Sequence, residues 1–156
     1  MKRFFALLFA LLLFALPAFA EGYEMTLPEG FSWIEGEELE GYLAAARADA
    51  GAEFSDQARL ALNGEMSLSV VLSTTDQPDG ASAAKEILDG YAAHIAGFES
   101  VEPEKVTIGE TDFWRFSFAI DGQTATQYCT VHEGEMALIT LISAPEDALS
   151  GFRWNA

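Results

Sequence analysis

The chain has 156 residues, and its 25 acidic residues against 8 basic ones give a formal net charge of −17. Such a charge repels nucleic acid and anionic membrane surfaces, which excludes both as partners. A single cysteine excludes an intramolecular disulfide, so the stability of the folded chain must come from packing.

The N-terminal residues have the three parts of a secretory signal peptide. Lys2 and Arg3 form the basic start, residues 4–16 form an apolar run, and Ala18-Phe19-Ala20 supplies a small-x-small cleavage site. The apolar run is too short for a comfortable membrane span, and no cysteine follows the cleavage site to carry a lipid. We therefore expect residues 1–20 to be removed and residues 21–156 to form one exported domain without a stable membrane anchor.

The domain is predicted to open with a strand and a helix. Residues 23–27 alternate as a strand that Pro28 ends, and Phe31 and Trp33 are expected to turn back against the core. Residues 35–50 predict a helix, because apolar side chains recur at i, i+3, i+4 and i+7. That stripe consists of Leu39, Tyr42, Leu43 and Ala46.

A hairpin is predicted next, because Asn63-Gly64 is a strong turn signal between two apolar runs. Its strands cover residues 57–62 and 65–74. In the second strand, aliphatic residues alternate with serines, which predicts a strand that is buried on one face only. The serines are Ser67, Ser69 and Ser73.

The second predicted helix starts at an N-cap, Asp79 or Ser82, and runs to about Ala96. Its apolar stripe is expected to lie on the aromatic side of the sheet described next. A strand over residues 101–108, with Pro103 near its start, should follow. The stripe consists of Ala84, Ile87, Leu88, Tyr91, Ile95 and Phe98.

Residues 112–144 predict a three-stranded meander with turns at Asp121-Gly122 and Glu133-Gly134, because two-residue turns of this kind fix a hairpin register. Ile120 should then pair with Gln123, and His132 with Glu135. What we call the aromatic face carries Trp114, Phe116, Phe118, Ile120, Ala125, Gln127, Cys129, Val131, Met136, Leu138, Thr140 and Ile142. What we call the mixed face carries Phe113, Arg115, Ser117, Ala119, Thr124, Thr126, Tyr128, Thr130, His132, Ala137, Ile139 and Leu141.

These elements predict an α+β fold, an antiparallel sheet with helices on both faces. A turn of helix and a packed segment with Phe152 and Trp154 as anchors should complete the chain.

No motif for nucleophilic catalysis, phosphate binding, a metal or a cofactor is present. His94 and His132 are the only histidines, and nothing beside either marks it as a general base. Cys129 falls in the middle of a strand on the aromatic face, which favours a small buried hydrophobe over a reactive thiol. The sequence therefore predicts no catalytic residues and no bound metal.

One patch on the mixed face is a candidate binding site for a ligand or partner. It consists of Arg115, Ser117, Thr126, Tyr128 and Thr130. A lone Arg among so many acids could hold an anion or a partner's carboxylate. Alternatively, it stacks on Tyr128, pairs with Asp or Glu, or packs under the first helix; this second interpretation is favoured, because buried arginines are usually paired.

The order of elements resembles the PsbP-like superfamily, which includes photosystem extrinsic subunits, Ran-binding Mog proteins and DcrB-type bacterial envelope proteins. The resemblance rests on Leu27-Pro28-Glu29-Gly30-Phe31, the helix DGASAAKEILDGYAAHIAGF and residues 109–143, which together span most of residues 21–156. It implies an αβα sandwich around an antiparallel sheet and no shared catalytic residues. The tail departs from the family, because the usual long C-terminal helix is reduced to about residues 145–154.

We therefore expect a non-catalytic, exported binding or accessory domain that acts on an unknown protein or small ligand at the cell envelope or outside the cell. Two alternatives stay open. One is a small secreted hydrolase or lyase that uses carboxylates and His132, and the other is a cation-binding acidic protein.

Overall fold

The computed structural model describes residues 22–50, 58–95, 97–120 and 122–155. For residues 46–50 and 120 it describes the backbone only. The predicted signal peptide lies outside these residues. Two α-helices, one 3-10 helix and nine strands make up the described part. They are β1 Tyr23–Met25, β2 Ser32–Trp33, α1 Gly36–Ala50, β3 Ala58–Asn63, β4 Met66–Thr74, α2 Gly80–His94, β5 Glu104–Ile108, β6 Thr111–Ile120, β7 Gln123–His132, β8 Glu135–Ile142, the 3-10 helix Glu146–Leu149 and β9 Phe152–Trp154.

Seven strands form one antiparallel sheet in the order β2-β3-β4-β8-β7-β6-β5. The predicted meander is confirmed: Ile120 lies opposite Gln123 and His132 opposite Glu135, so the two predicted faces are the observed faces. Glu133 and Gly134 both have positive φ, as a two-residue hairpin turn of this type requires. A sheet of this kind with two helices agrees with the predicted α+β class.

Helix α2 packs on the aromatic face, as its apolar stripe predicts. Asp79 is the N-cap, and its carboxylate accepts a hydrogen bond of 2.8 Å from the backbone N–H of Ser82. Gly80 begins the helix where a Cβ atom would stand only 2.6 Å from the Trp114 ring, so the close approach of helix and sheet needs glycine there. The buried residues of this contact are Ala83, Ala84, Leu88, Tyr91, Phe116, Phe118, Ala125, Cys129, Leu138 and Ile142.

Helices on both faces of the sheet are not confirmed. Leu43 of α1 is buried in a cluster with Val71 of β4. Val71 lies directly opposite Leu138, which packs against α2, and opposed residues of an antiparallel pair share a face. Among the described residues, α1 and α2 therefore pack on the same face of the sheet.

The mixed face is covered by the two ends of the domain. β1 and β9 pair as a separate two-stranded antiparallel sheet, here called the β1–β9 ribbon, which packs on this face together with the 3-10 helix. Phe113 is fully buried beneath it and meets the Phe152 ring edge-on at 5.6 Å. The predicted packing of Phe31, Trp33, Phe152 and Trp154 against the core is confirmed.

The prediction that β4 is buried on one face only is wrong. Ser67, Ser69 and Ser73 are 2%, 3% and 5% exposed, so both faces of the strand are covered. β4 is central, between β3 and β8, and its serine face turns toward the side that carries the two helices. The alternation of serine and aliphatic residues shows which side chains share a face of the strand. The position of the strand in the sheet decides whether each face is buried.

Cys129 is the small buried hydrophobe that the sequence favours. Its side chain is 0% exposed within the contact between α2 and the sheet, and burial raises the pKa of the thiol to about 12. Because a thiol reagent needs an accessible thiolate, we expect native protein to react only as fast as it opens. Guanidinium-unfolded protein is the control and should react at once. Rapid labelling of the native protein with an unchanged circular-dichroism spectrum would contradict this burial.

Across the residues that the structure describes, no helix has both the length and the apolar character needed to span a bilayer.

Candidate functional site

A cavity of about 430 Å³ opens at the edge of the mixed face, beside the start of β5. Four of the five predicted site residues line it together: Arg115, Ser117, Thr126 and Tyr128. The register explains this grouping, because Arg115 lies opposite Tyr128 and Ser117 opposite Thr126 on adjacent strands. Its remaining lining residues are Glu102, Glu104, Phe116 and Glu146.

Arg115 forms ion pairs with two glutamates. Its guanidinium bonds Glu146 at 2.6 Å from Nη1 to Oε2, and it pairs with Glu104, which lies opposite it on β5. Of the two interpretations left open by the sequence, pairing with an acid beside Tyr128 is the one observed. The element above Arg115 is the 3-10 helix, since Glu146 belongs to it, and not the first helix.

Glu146 ties the 3-10 helix to the sheet through two donors. Besides Arg115, the Tyr128 hydroxyl donates a hydrogen bond of 2.9 Å to the same carboxylate oxygen. Burial alone would raise the pKa of Glu146, but these hydrogen bonds to its charged form outweigh that effect and lower the pKa below the ordinary value of 4.5. Burial, and next the bond to Glu146, raise the pKa of Tyr128, so this hydroxyl stays protonated and donates.

Replacing Glu146 by Gln should lower the free energy of unfolding only modestly, by about 0.5–1 kcal/mol at pH 7, since both partners remain more than a third exposed. The pKa of Glu146 is lower in the folded state, so its stabilisation is complete above pH 4.5 and is lost as pH falls through that lowered pKa. Thermal unfolding should therefore separate wild type from Glu146→Gln at pH 7 and bring them together at low pH. Asp147→Asn, an exposed change on the same 3-10 helix, is the control. A stability difference between wild type and Glu146→Gln that grows in acid would contradict the lowered pKa of Glu146.

The charges around the cavity disfavour an anion at Arg115. Three glutamates and one arginine line it, which leaves two uncompensated negative charges, and the arginine is already shared between two of those glutamates. An added anion would have to displace a carboxylate from Arg115. Ser117 and Thr126 hydroxyls, 2.9 Å apart, complete a wall suited to a cation or a hydroxylated group.

Thr130 does not belong to this cavity. It lies two residues beyond Tyr128, beneath the ribbon, where its hydroxyl accepts a hydrogen bond of 3.3 Å from the Trp154 indole N–H. Sequence reasoning also missed Glu102, Glu104 and Glu146. For Glu104 a signal existed, because a β5–β6 hairpin at Gly109 places it opposite Arg115. For Glu146 none did, because its contact depends on how the tail folds back.

His132 lies outside this cavity. It is exposed at the end of β7 and stacks on Trp154 with ring centroids 5.5 Å apart. A second cavity, of about 260 Å³, lies between α2 and the approach to β5, and His132 does not line it either. Within the described residues, no group of three or more His, Cys, Asp or Glu side chains is arranged to hold a metal ion.

No protein-family model and no curated protein matches the chain. The solved structures that resemble it include the following three. Cyanobacterial PsbP (CyanoP) from Synechocystis sp. PCC 6803 aligns with a TM-score of 0.51 at 14% identity, over 90% of this chain and 91% of that one. A protein from Bacteroides thetaiotaomicron VPI-5482 gives 0.48 at 11% identity, where 86% of this chain spans only 45% of that one. LpqN, involved in cell envelope biogenesis of Mycobacterium tuberculosis, gives 0.39 at 14% identity, over 81% of this chain and 74% of that one.

The match to CyanoP covers nearly the whole of both chains, so the fold of this chain is PsbP-like, as the order of its elements predicts. At this identity the likeness concerns the fold alone, and a fold does not carry a function with it.

Proposed function

We propose that this chain is an exported, non-catalytic accessory domain that binds a partner through the acidic cavity beside β5. The single observation that carries the proposal is the composition of that cavity. It combines two uncompensated negative charges with hydroxyl groups, and its one cation is held by two glutamates. These side chains can orient and bind a ligand, but none is a free nucleophile or a base poised for proton transfer.

Export is supported by the sequence pattern of residues 1–20, with its basic start, apolar run and cleavage site. Non-catalytic action is supported by the absence of any catalytic motif in the sequence. His132, the centre of the hydrolase or lyase alternative, is stacked on Trp154 and away from the glutamates of the cavity.

The test is affinity capture by the mature chain from the envelope fraction of its own organism, with a cavity-filling variant as the comparison. Thr126→Arg places a long side chain in the cavity, whereas Thr74→Arg makes the same change at an exposed position at the end of β4. We expect some proteins to be captured by wild type and by Thr74→Arg but not by Thr126→Arg. Identical captured sets from all three proteins would contradict binding at this cavity. N-terminal sequencing of secreted protein should begin at Glu21, and an uncleaved cytoplasmic chain would contradict export.

A further inference from the structure

The outer edge of the sheet is only half covered. β6 has ten residues, but β5 pairs with Thr111 through Arg115 and stops at Glu104. Pro103 precedes β5, and its ring fixes φ near a value that antiparallel strands do not use, which favours an end of the ladder there. In the part of the chain that the structure describes, residues 116–120 of β6 consequently have a strand partner on one side only, the β7 side.

The register decides which backbone groups face outward along this edge. Ile108 and Thr111 flank the two-residue turn between β5 and β6, so they form a hydrogen-bonded pair, and such pairs recur at every second residue. Continuing beyond Arg115, Ser117 and Ala119 direct their backbone N–H and C=O groups away from β7. Both residues are exposed, and no backbone partner bonds them on that side within the described residues.

A strand added at this edge would place its side chains in two different environments. A residue opposite Ser117 would share the face of Arg115 and Tyr128, and its side chain would enter the acidic cavity. Its neighbours would point to the other face, toward Phe118 and Phe98, whose ring centroids are 5.8 Å apart. The first environment suits a lysine or arginine, and the second suits an apolar side chain.

We propose that the Ser117–Ala119 edge receives an extended peptide segment of another protein, in which basic and apolar residues alternate, as an added β-strand. This inference rests on the proposed function and names the chemistry of its partner. Main-chain hydrogen bonds supply the affinity of strand addition, and the alternate side chains supply the specificity. A second copy of this chain suits the edge poorly, because edge-to-edge pairing would bring together two acidic cavities of chains that each carry a charge of −17.

The probe is an amidated heptapeptide of alternating valine and lysine, titrated into isotopically labelled mature protein at low salt. We expect slower hydrogen exchange at the backbone N–H groups of Ser117 and Ala119 when the peptide binds. The same peptide with N-methyl groups on the amides of every second residue keeps the charge but loses the donors on one edge. Two such peptides are made, one N-methylated at the valines and the other at the lysines. We expect one of the two not to bind.

Two variants test the charge. Glu102→Lys reverses a cavity charge and should weaken binding roughly 3- to 10-fold, because attraction is replaced by repulsion at an exposed site. Glu65→Lys makes the same change in the exposed β3–β4 turn, at least three strand spacings (roughly 14 Å) away, and should leave the affinity unchanged.

Equal binding of a valine–glutamate peptide, of both N-methylated peptides or by Glu102→Lys would overturn the inference. So would protection of Ser117 and Ala119 that depends on protein concentration without any peptide, since that result identifies self-pairing. If cavity-dependent capture succeeds while these peptide tests fail, the proposed function stands and only the strand-addition inference falls.

Discussion

Replacing Phe113 by Ala is expected to lower the free energy of unfolding by about 3–5 kcal/mol, the range for removing a buried phenylalanine. Phe113 is 0% exposed, and its ring meets those of Tyr128 and Phe152 edge-on, with centroids 6.1 and 5.6 Å away. Phe113 packs directly against Phe152 of the ribbon, so the cavity left behind should also loosen the packing of the ribbon on the sheet. Denaturant unfolding of the mature protein measures the first effect, and hydrogen exchange at Glu24 and Arg153 measures the second.

Phe118→Ala is the matched control for this prediction. It removes an equally large ring that is 7% exposed, but from the aromatic face, where Phe118 packs with Tyr91 and Phe98. A comparable loss of stability is expected. The backbone N–H groups of the ribbon, however, should still exchange their hydrogens only when the whole protein unfolds. If the two variants expose the ribbon equally, Phe113 is not its specific anchor.

The meander could be read from the sequence because its determinants are local. Two-residue turns fix the register of the strands beside them, and the register fixes which side chains share a face. The pairs Arg115–Tyr128 and Ser117–Thr126 follow from those turns alone, which is why four of five candidate residues meet in one cavity. The cap at Asp79 and the stripe of α2 are equally local signals.

Contacts between distant parts of the chain could not be read in this way. Tyr23 pairs with Trp154 across the ribbon, and Arg115 bonds Glu146 31 residues away, although no periodic pattern links either pair. The side on which α1 packs has the same origin, because an amphipathic stripe predicts that a helix is buried but not which face of a sheet buries it. Of the glutamates that the sequence did not place at the cavity, Glu146 comes from such a long-range contact.

The buried polar chain beneath α2 shows what the glutamine and threonine positions of the aromatic face contribute. The Tyr91 hydroxyl donates to Gln127 Oε1 at 2.9 Å, and Gln127 Nε2 donates to Thr140 Oγ1 at 3.1 Å. Gln127 is 0% exposed, so water cannot replace either bond in the folded state. Burial also raises the pKa of Tyr91, which keeps its hydroxyl protonated as the donor. Since every member depends on Gln127, the amide should specify how α2 sits on the sheet.

Gln127→Leu should therefore cost about 2–6 kcal/mol of unfolding free energy, because two buried hydroxyls lose their partner at roughly 1–3 kcal/mol each. Adding Tyr91→Phe removes one of those unpaired groups, so the double variant should recover part of the loss, and a double-mutant cycle measures that coupling. Ser69→Ala is the control on the same face: Ser69 Oγ is buried without a hydrogen-bond partner among the described residues, and its removal should cost no hydrogen bond. Additive effects of Gln127→Leu and Tyr91→Phe would show that the two side chains do not act as one buried unit.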